Sequence, residues 1–129
     1  MIEQAYEQLS QYEYMDDEQL DYFRQRLIEM RETLQARMTS AVDRRERLAD
    51  EADQATQDES YWMSVHLKER DGKMLMDVEK AIRKLNTGDY GYCDETGEEI
   101  GLKRLIANPA AALSAEAMER RERIQKIHA

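Results

Sequence analysis

Cysteine, proline and phenylalanine occur once each in these 129 residues, and glycine five times. A single cysteine excludes an intramolecular disulfide and a multi-cysteine metal site, so reducing surroundings are expected. No apolar run approaches the ~18–20 residues that a membrane-spanning helix needs. The start, Met1-Ile2-Glu3-Gln4, has no signal-peptide character, and a cytoplasmic protein without membrane contact is expected. Cations are also scarce. Lys+Arg number 19 against 28 Asp+Glu, for a net charge of -9. Functions that rest on a basic surface, direct DNA binding above all, are disfavoured. What the chain does have is charge, 36% of residues against 41% hydrophobic, which is too polar for a large compact core.

The breakers are unevenly placed. Residues 1–71 contain neither Gly nor Pro, and all five Gly and the one Pro fall in 72–109. The spacing of Ile2, Ala5, Tyr6, Leu9 and Tyr12 predicts a short first helix. Asp16 with Gln19 is close to a capping box and predicts the start of a long second one. From there Leu20, Phe23, Leu27, Met30, Leu34, Met38, Ala41 and Leu48 recur every three or four residues as a narrow stripe, the pattern of a coiled-coil seam. A second such segment begins at Tyr61, Trp62 and Val65 and closes with Leu75, Val78, Ile82 and Leu85. Its middle is interrupted by Lys68, Asp71 and Gly72. Asn86-Thr87-Gly88 supplies a helix stop. Two such helices, each about 50 Å long, would fold back near residues 50–55 as an antiparallel hairpin.

That turn is acidic: Asp50, Glu51, Asp53, Asp58 and Glu59 fall in a stretch without Lys or Arg from 48 to 67. Helix capping explains such acids, and so does delivery of carboxylates to a distant site by a rigid rod. Past the hairpin, Cys93-x-x-Thr96-Gly97 looks like one knuckle of a zinc ribbon with its second cysteine replaced, and Ser114 and Ala117 stand where the other knuckle would be. Structural zinc takes four strong donors, and this set holds one. The residues predict no zinc and no other cofactor. Instead, Tyr90, Tyr92, Ile100, Leu102, Leu105, Ile106 and Leu113 should hold the module by packing, with Thr96 and Ser114 adding hydrogen bonds. Ser114 also suits the cap of a final helix, whose basic end is either a partner-facing surface or a solvated face that complements the helix dipole. The fold class expected is mainly α: a segment 1–16 packed on the body, a coiled-coil hairpin over 17–86, and a zinc-finger-like module with a closing helix over 87–129.

Three blocks of residues resemble the DksA/TraR family of bacterial transcription regulators. They are Tyr14-Met15 with Gln19-Leu20 and Phe23; Asp50-x-x-Asp53-x-Ala55; and Gly88-x-Tyr90-Gly91-x-Cys93-x-x-Thr96-Gly97-x-x-Ile100 followed by Arg104-Leu105-x-Ala107-x-Pro109. The resemblance implies a non-enzymatic monomer that binds RNA polymerase through its secondary channel and destabilises promoter complexes. It implies lower output from ribosomal RNA promoters in a stringent-response manner, with no contact to DNA. By the same resemblance Asp50, Asp53 and Ala55 are tip residues acting near the polymerase active site, and Arg70 and Met74 contact the channel rim. The family's cationic contacts to guanosine tetraphosphate fall on Asp77, Asn108 and Met118, which argues against that effector at the interface. The alternative is an accessory of transcript cleavage, whose acidic tip would help position a catalytic metal.

Overall fold

The computed structural model describes residues 2–51 and 54–128, with the backbone alone for 41–51, 54–58 and 128. The described residues form five helices: α1 (Ile2–Leu9), α2 (Asp17–Glu51), α3 (Gln54–Thr87), α4 (Leu102–Ala107) and α5 (Ala115–His128). No strand is among them; one isolated antiparallel bridge joins Tyr92 and Glu99.

Local chemistry sets the helix ends. At the start of α2 the Asp16 Oδ1 accepts the Gln19 N–H at 3.0 Å, which satisfies one of the free donors of the first turn. Gln19 returns the bond one residue earlier than a standard capping box, accepting the Met15 N–H at 2.7 Å. Its amide donates to the carbonyls of Leu9 at 2.8 Å and Tyr12 at 3.3 Å, so one buried side chain ties the end of α1 to the start of α2. At the other end of the hairpin, α3 stops at Thr87. Gly88 takes φ 83° there, and the Asp89 N–H reaches back to the Lys84 carbonyl at 2.9 Å, the long bond of a Schellman motif.

α2 and α3 run antiparallel. The Arg24 guanidinium donates to Asn86 at 3.0 Å near the base, and Arg37 pairs with Asp71 further out. With 35 residues, α2 is roughly 52 Å long at ~1.5 Å per residue. Phe23, Leu27 and Leu34 of α2 are buried with Val78, Ala81 and Leu85 of α3, and Leu20, Met30, Leu75 and Ile82 pack partly buried against them. The seam expected from the sequence is thus present at its base. It departs further out: Tyr61 and Trp62, expected to lead the second stripe, are exposed, Trp62 at 60%. Trp62 lies off the face that continues Leu75, Val78 and Ile82, whereas Tyr61 keeps the heptad position of Leu75 and Ile82 and is nonetheless exposed. Ala41 and Leu48 fall where side chains are outside the description.

The base of the hairpin is packed into a small module. The Cys93 N–H donates to the Glu98 carbonyl at 2.8 Å, and the Gly97 N–H to the Cys93 carbonyl at 2.9 Å, closing a tight turn. Tyr90, Ile100, Leu105, Ile106 and Leu113 are buried there as their pattern predicts. Tyr92 is not; its ring lies half-exposed and edge-on to Tyr14. α4 was not anticipated as a helix, because six residues between Gly101 and Pro109 carry too short a period to register. The Tyr14 hydroxyl, from the α1–α2 connection, donates to the Gly91 carbonyl at 2.6 Å and accepts the Gly101 N–H at 3.0 Å.

Gly91 is confined by that joint. Its φ is +98°, and a Cβ placed on it would sit 2.6 Å from Met15 Cγ. Gly91→Ala is therefore expected to cost about 2–3 kcal/mol, combining left-handed strain with the shift forced on Met15. Denaturant unfolding measures this, and a cost under about 0.5 kcal/mol would show that the Met15 side chain yields freely.

Candidate functional site

Three groups of side chains carry the functional expectations, and the structure does not bring them together. The first is the far end of the hairpin. Asp50 lies near the C-terminus of α2 and Ala55 in the first turn of α3, with their side chains outside the description, and Asp53 lies outside the described residues altogether. The second is Arg70 and Met74, one turn apart on an exposed face of α3.

The third group is in the module. Cys93 is 3% exposed, Ser114 is buried and Ala117 has no exposed surface. The Thr96 Oγ accepts the Glu98 N–H at 3.2 Å, and its hydroxyl is a hydrogen-bond donor to the Cys93 thiolate. Backbone N–H groups of Ser114, Thr96 and Glu95 also face that sulfur. Burial pushes the thiol up, but these donors outweigh it and bring the pKa from 9.0 down to about 6. Ser114 has a second duty: its Oγ accepts the Ala117 N–H at 3.2 Å and caps α5.

Charged side chains fasten this knuckle to its neighbours. Asp94 accepts Lys80 Nζ at 2.5 Å and Lys84 Nζ at 2.8 Å, and Lys84 also donates to the Tyr92 carbonyl at 3.0 Å. Partial burial opposes ionisation of Asp94, yet the two ammonium groups hold its carboxyl below the usual carboxylate range. Arg121 of α5 donates to Glu95 at 2.7 Å, and Arg104 of α4 to the Leu113 carbonyl at 2.8 Å.

These engagements bear on anion binding. Asp77 and Met118 are exposed, and the Asn108 Oδ1 is occupied by the Ala110 N–H at 3.2 Å. Of the nearby cations, Lys80 is paired with Asp94, Arg104 is bonded to Leu113, and Lys103 lies 4.8 Å from the centroid of the Tyr6 ring.

Some residues that organise this region were not identified from sequence. The bridging role of Tyr14 spans 77 and 87 residues of chain, beyond any local pattern. Asp71 showed only as a break in the stripe of α3, whereas in the structure it is buried against α2. Its position in the seam, at a site where an apolar residue is due, was the available signal.

Comparison with known proteins gives consistent matches. Residues 19–85 match the N-terminal domain of DnaK suppressor protein DksA, and residues 88–123 match the prokaryotic dksA/traR C4-type zinc finger. The chain is 38% identical over 119 residues to the RNA polymerase-binding transcription factor DksA of Caulobacter vibrioides, covering 89% of this chain and 84% of that one. It is 38% identical over 105 residues to the protein of the same name in Haemophilus influenzae, covering 78% and 72%. Among solved structures, transcription factor DksA2 from Pseudomonas aeruginosa superposes with a TM-score of 0.83 at 39% identity, covering 93% of this chain and 97% of that one.

The zinc-finger match corrects the expectation that no cofactor is involved, because residues 88–123 belong to a C4-type, zinc-binding lineage. The knuckle's likeness to a zinc ribbon was legible in the sequence, and the expectation of no cofactor rested on the missing donors alone. The donors themselves do not fit a four-thiolate site. Cys93 is the one thiol, Thr96 and Ser114 offer hydroxyls, and Ala117 offers nothing. No group of three His, Cys, Asp or Glu that could hold a metal occurs among the described residues. No helix among the described residues is long and apolar enough to cross a membrane.

Proposed function

The chain belongs to the DksA/TraR family, and on that premise we propose that it binds RNA polymerase and regulates transcription initiation. Residues 17–86 act as a probe inserted through the secondary channel. Residues 87–129 form its base, with 1–16 packed on that base. Asp50, Asp53 and Ala55 at the far end act near the active site, and Arg70 and Met74 hold the channel rim. The result is destabilised promoter complexes and lower output at ribosomal RNA promoters, in a stringent-response pattern. The protein acts as a non-catalytic monomer in the cytoplasm and makes no direct contact with DNA.

The observation that best supports this reading is the antiparallel pair α2 and α3, roughly 50 Å long, rooted through Phe23 and Tyr90 in the 90–117 module. A stiff rod with acids at its far end is suited to a narrow channel. Guanosine tetraphosphate is not expected to act through Asp77, Asn108 and Met118, which offer no cation to a phosphate.

The test separates binding from effect. Asp53→Asn should keep affinity for core polymerase within about twofold and lose most of the shortening of promoter-complex lifetime, about tenfold. If Asp53→Asn abolishes binding, the tip is an anchor and the division between tip and rim fails. Release of short RNA from backtracked polymerase, dependent on Asp50 and Asp53, would replace regulation with assisted cleavage.

A further inference from the structure

Halfway along the hairpin the seam changes character. On α3, Leu85, Ile82, Val78 and Leu75 step outward from the base at apolar positions, and the next three steps of the same pattern are Asp71, Lys68 and Ser64. Gly72, a poor residue for a helix interior, adjoins the first of them. On α2 the last buried apolar side chain is Leu34. Beyond Leu34 and Asp71 no apolar side chain of either helix is buried among the described residues, and Met38 and Val65 are half-buried at best. A groove of about 660 Å³, open to solvent, borders this level and is lined by Thr33, Ala36, Ser40, Leu67 and Arg70, among others.

Two features weaken the pairing at this one level. The first is a carboxylate. Asp71 is turned into the seam with its side chain only 9% exposed, and its Oδ1 is buried without a hydrogen-bond donor. Arg37 comes to 3.6 Å, too far for a hydrogen bond, and its own side chain is 54% exposed. A buried carboxylate with so distant a partner has lost its hydration and regained little, so it disfavours the packed state. Separation of the helices returns water to it. The second feature is Gly72. A Cβ placed on it would meet the Met38 Cε at 3.9 Å, an ordinary contact, so packing does not require a glycine there. Its effect is on the backbone: it loosens α3 in mid-helix, next to the unsatisfied acid.

We propose that the hairpin carries a hinge at Asp71–Gly72, about which residues 35–40 of α2 and 59–70 of α3 open and re-form as one arm while the root of the hairpin stays packed. The closed rod is the dominant state and the opened arm a minor one. On the polymerase-binding reading such a hinge lets the far end adjust to a channel without unseating the base. The hinge does not depend on that reading, and the free chain tests it.

Amide hydrogen exchange is followed on four full-length chains: wild type, Val78→Ala, Gly72→Ala and Asp71→Leu. Melting curves check that each folds. In wild type the arm amides should exchange at least about 30-fold faster than those of the root, with the step falling just past Leu34 and just before Gly72. Val78 is fully buried in the root. Val78→Ala should speed exchange of the root about tenfold and leave the arm within about twofold, because the arm opens while the root is intact. Gly72→Ala should slow exchange in the arm about fivefold, and Asp71→Leu about tenfold. Equal acceleration of arm and root by Val78→Ala overturns the hinge, since the hairpin then opens only as a whole. Similar wild-type exchange in arm and root overturns it as well. Exchange that quickens steadily toward residues 40 and 59, with no step, replaces the hinge with fraying from the far end. Arm exchange unchanged by both Gly72→Ala and Asp71→Leu shows that these residues are not where the arm bends.

Discussion

Replacing Phe23 with alanine is expected to lower stability by about 3–5 kcal/mol, the largest loss for any single truncation in this core. Phe23 has no exposed surface. Its ring lies edge-on to Tyr22 at 5.1 Å and tilted against Tyr90 at 5.6 Å, where α2 meets the module. Tyr90 cannot follow into the vacated space, because its buried hydroxyl donates to the Pro109 carbonyl at 2.7 Å. Burial also pushes the Tyr90 phenol far above its ordinary pKa, so it remains a donor throughout the working range. The cavity left by Phe23→Ala therefore stays open, and the melting temperature should fall by roughly 10–20 °C. Phe23→Leu, which keeps most of the volume, should cost about 1 kcal/mol. Thermal and denaturant unfolding measure both, and a Phe23→Ala loss below about 1 kcal/mol would mean that the base of the hairpin repacks. Because this joint aims the rod, the same substitution should also reduce any activity that depends on where the far end sits.

What the sequence announced and what it withheld divide along chain distance. Asp16 with Gln19, Gly88 after Thr87, and Ser114 before α5 were all legible, since each acts on backbone groups within a few residues. The pairing of α2 with α3 was legible from periodicity at the base, where Phe23, Leu27, Val78 and Leu85 keep strict spacing. It misled at Trp62, which falls outside the seam, and at Tyr61, which keeps the heptad position of Leu75 and Ile82 but is left exposed. The joint made by the Tyr14 hydroxyl, the confinement of Gly91 by Met15 and the burial of Asp71 all depend on residues distant in the chain. Of the candidate site, the rim pair Arg70 and Met74 came from resemblance. The groove beside them required the register between two helices, which no single stretch of sequence encodes.

The Cys93 thiol should make stability depend on pH in a way that its removal abolishes. Its pKa falls from 9.0 to about 6 on folding, since the Thr96 hydroxyl and three backbone N–H groups prevail over burial. A group whose pKa is depressed by folding contributes fully above its unfolded value, and loses that contribution as pH falls through its folded value. The added stability is thus greatest above pH 9 and gone below about pH 6, with the window between them set by this one group. At ~1.4 kcal/mol for each tenfold change the ceiling is about 4 kcal/mol, of which about 1 kcal/mol remains at pH 7. Wild type should accordingly gain stability from pH 6 to pH 9, relative to Cys93→Ser, whose hydroxyl does not titrate there. Thr96→Val, which removes one donor to the sulfur, should shift the rise to higher pH. Parallel profiles for wild type and Cys93→Ser would mean that the thiol is protonated in the folded chain. The knuckle would then be held by packing and by the Lys80, Lys84 and Asp94 clamp alone.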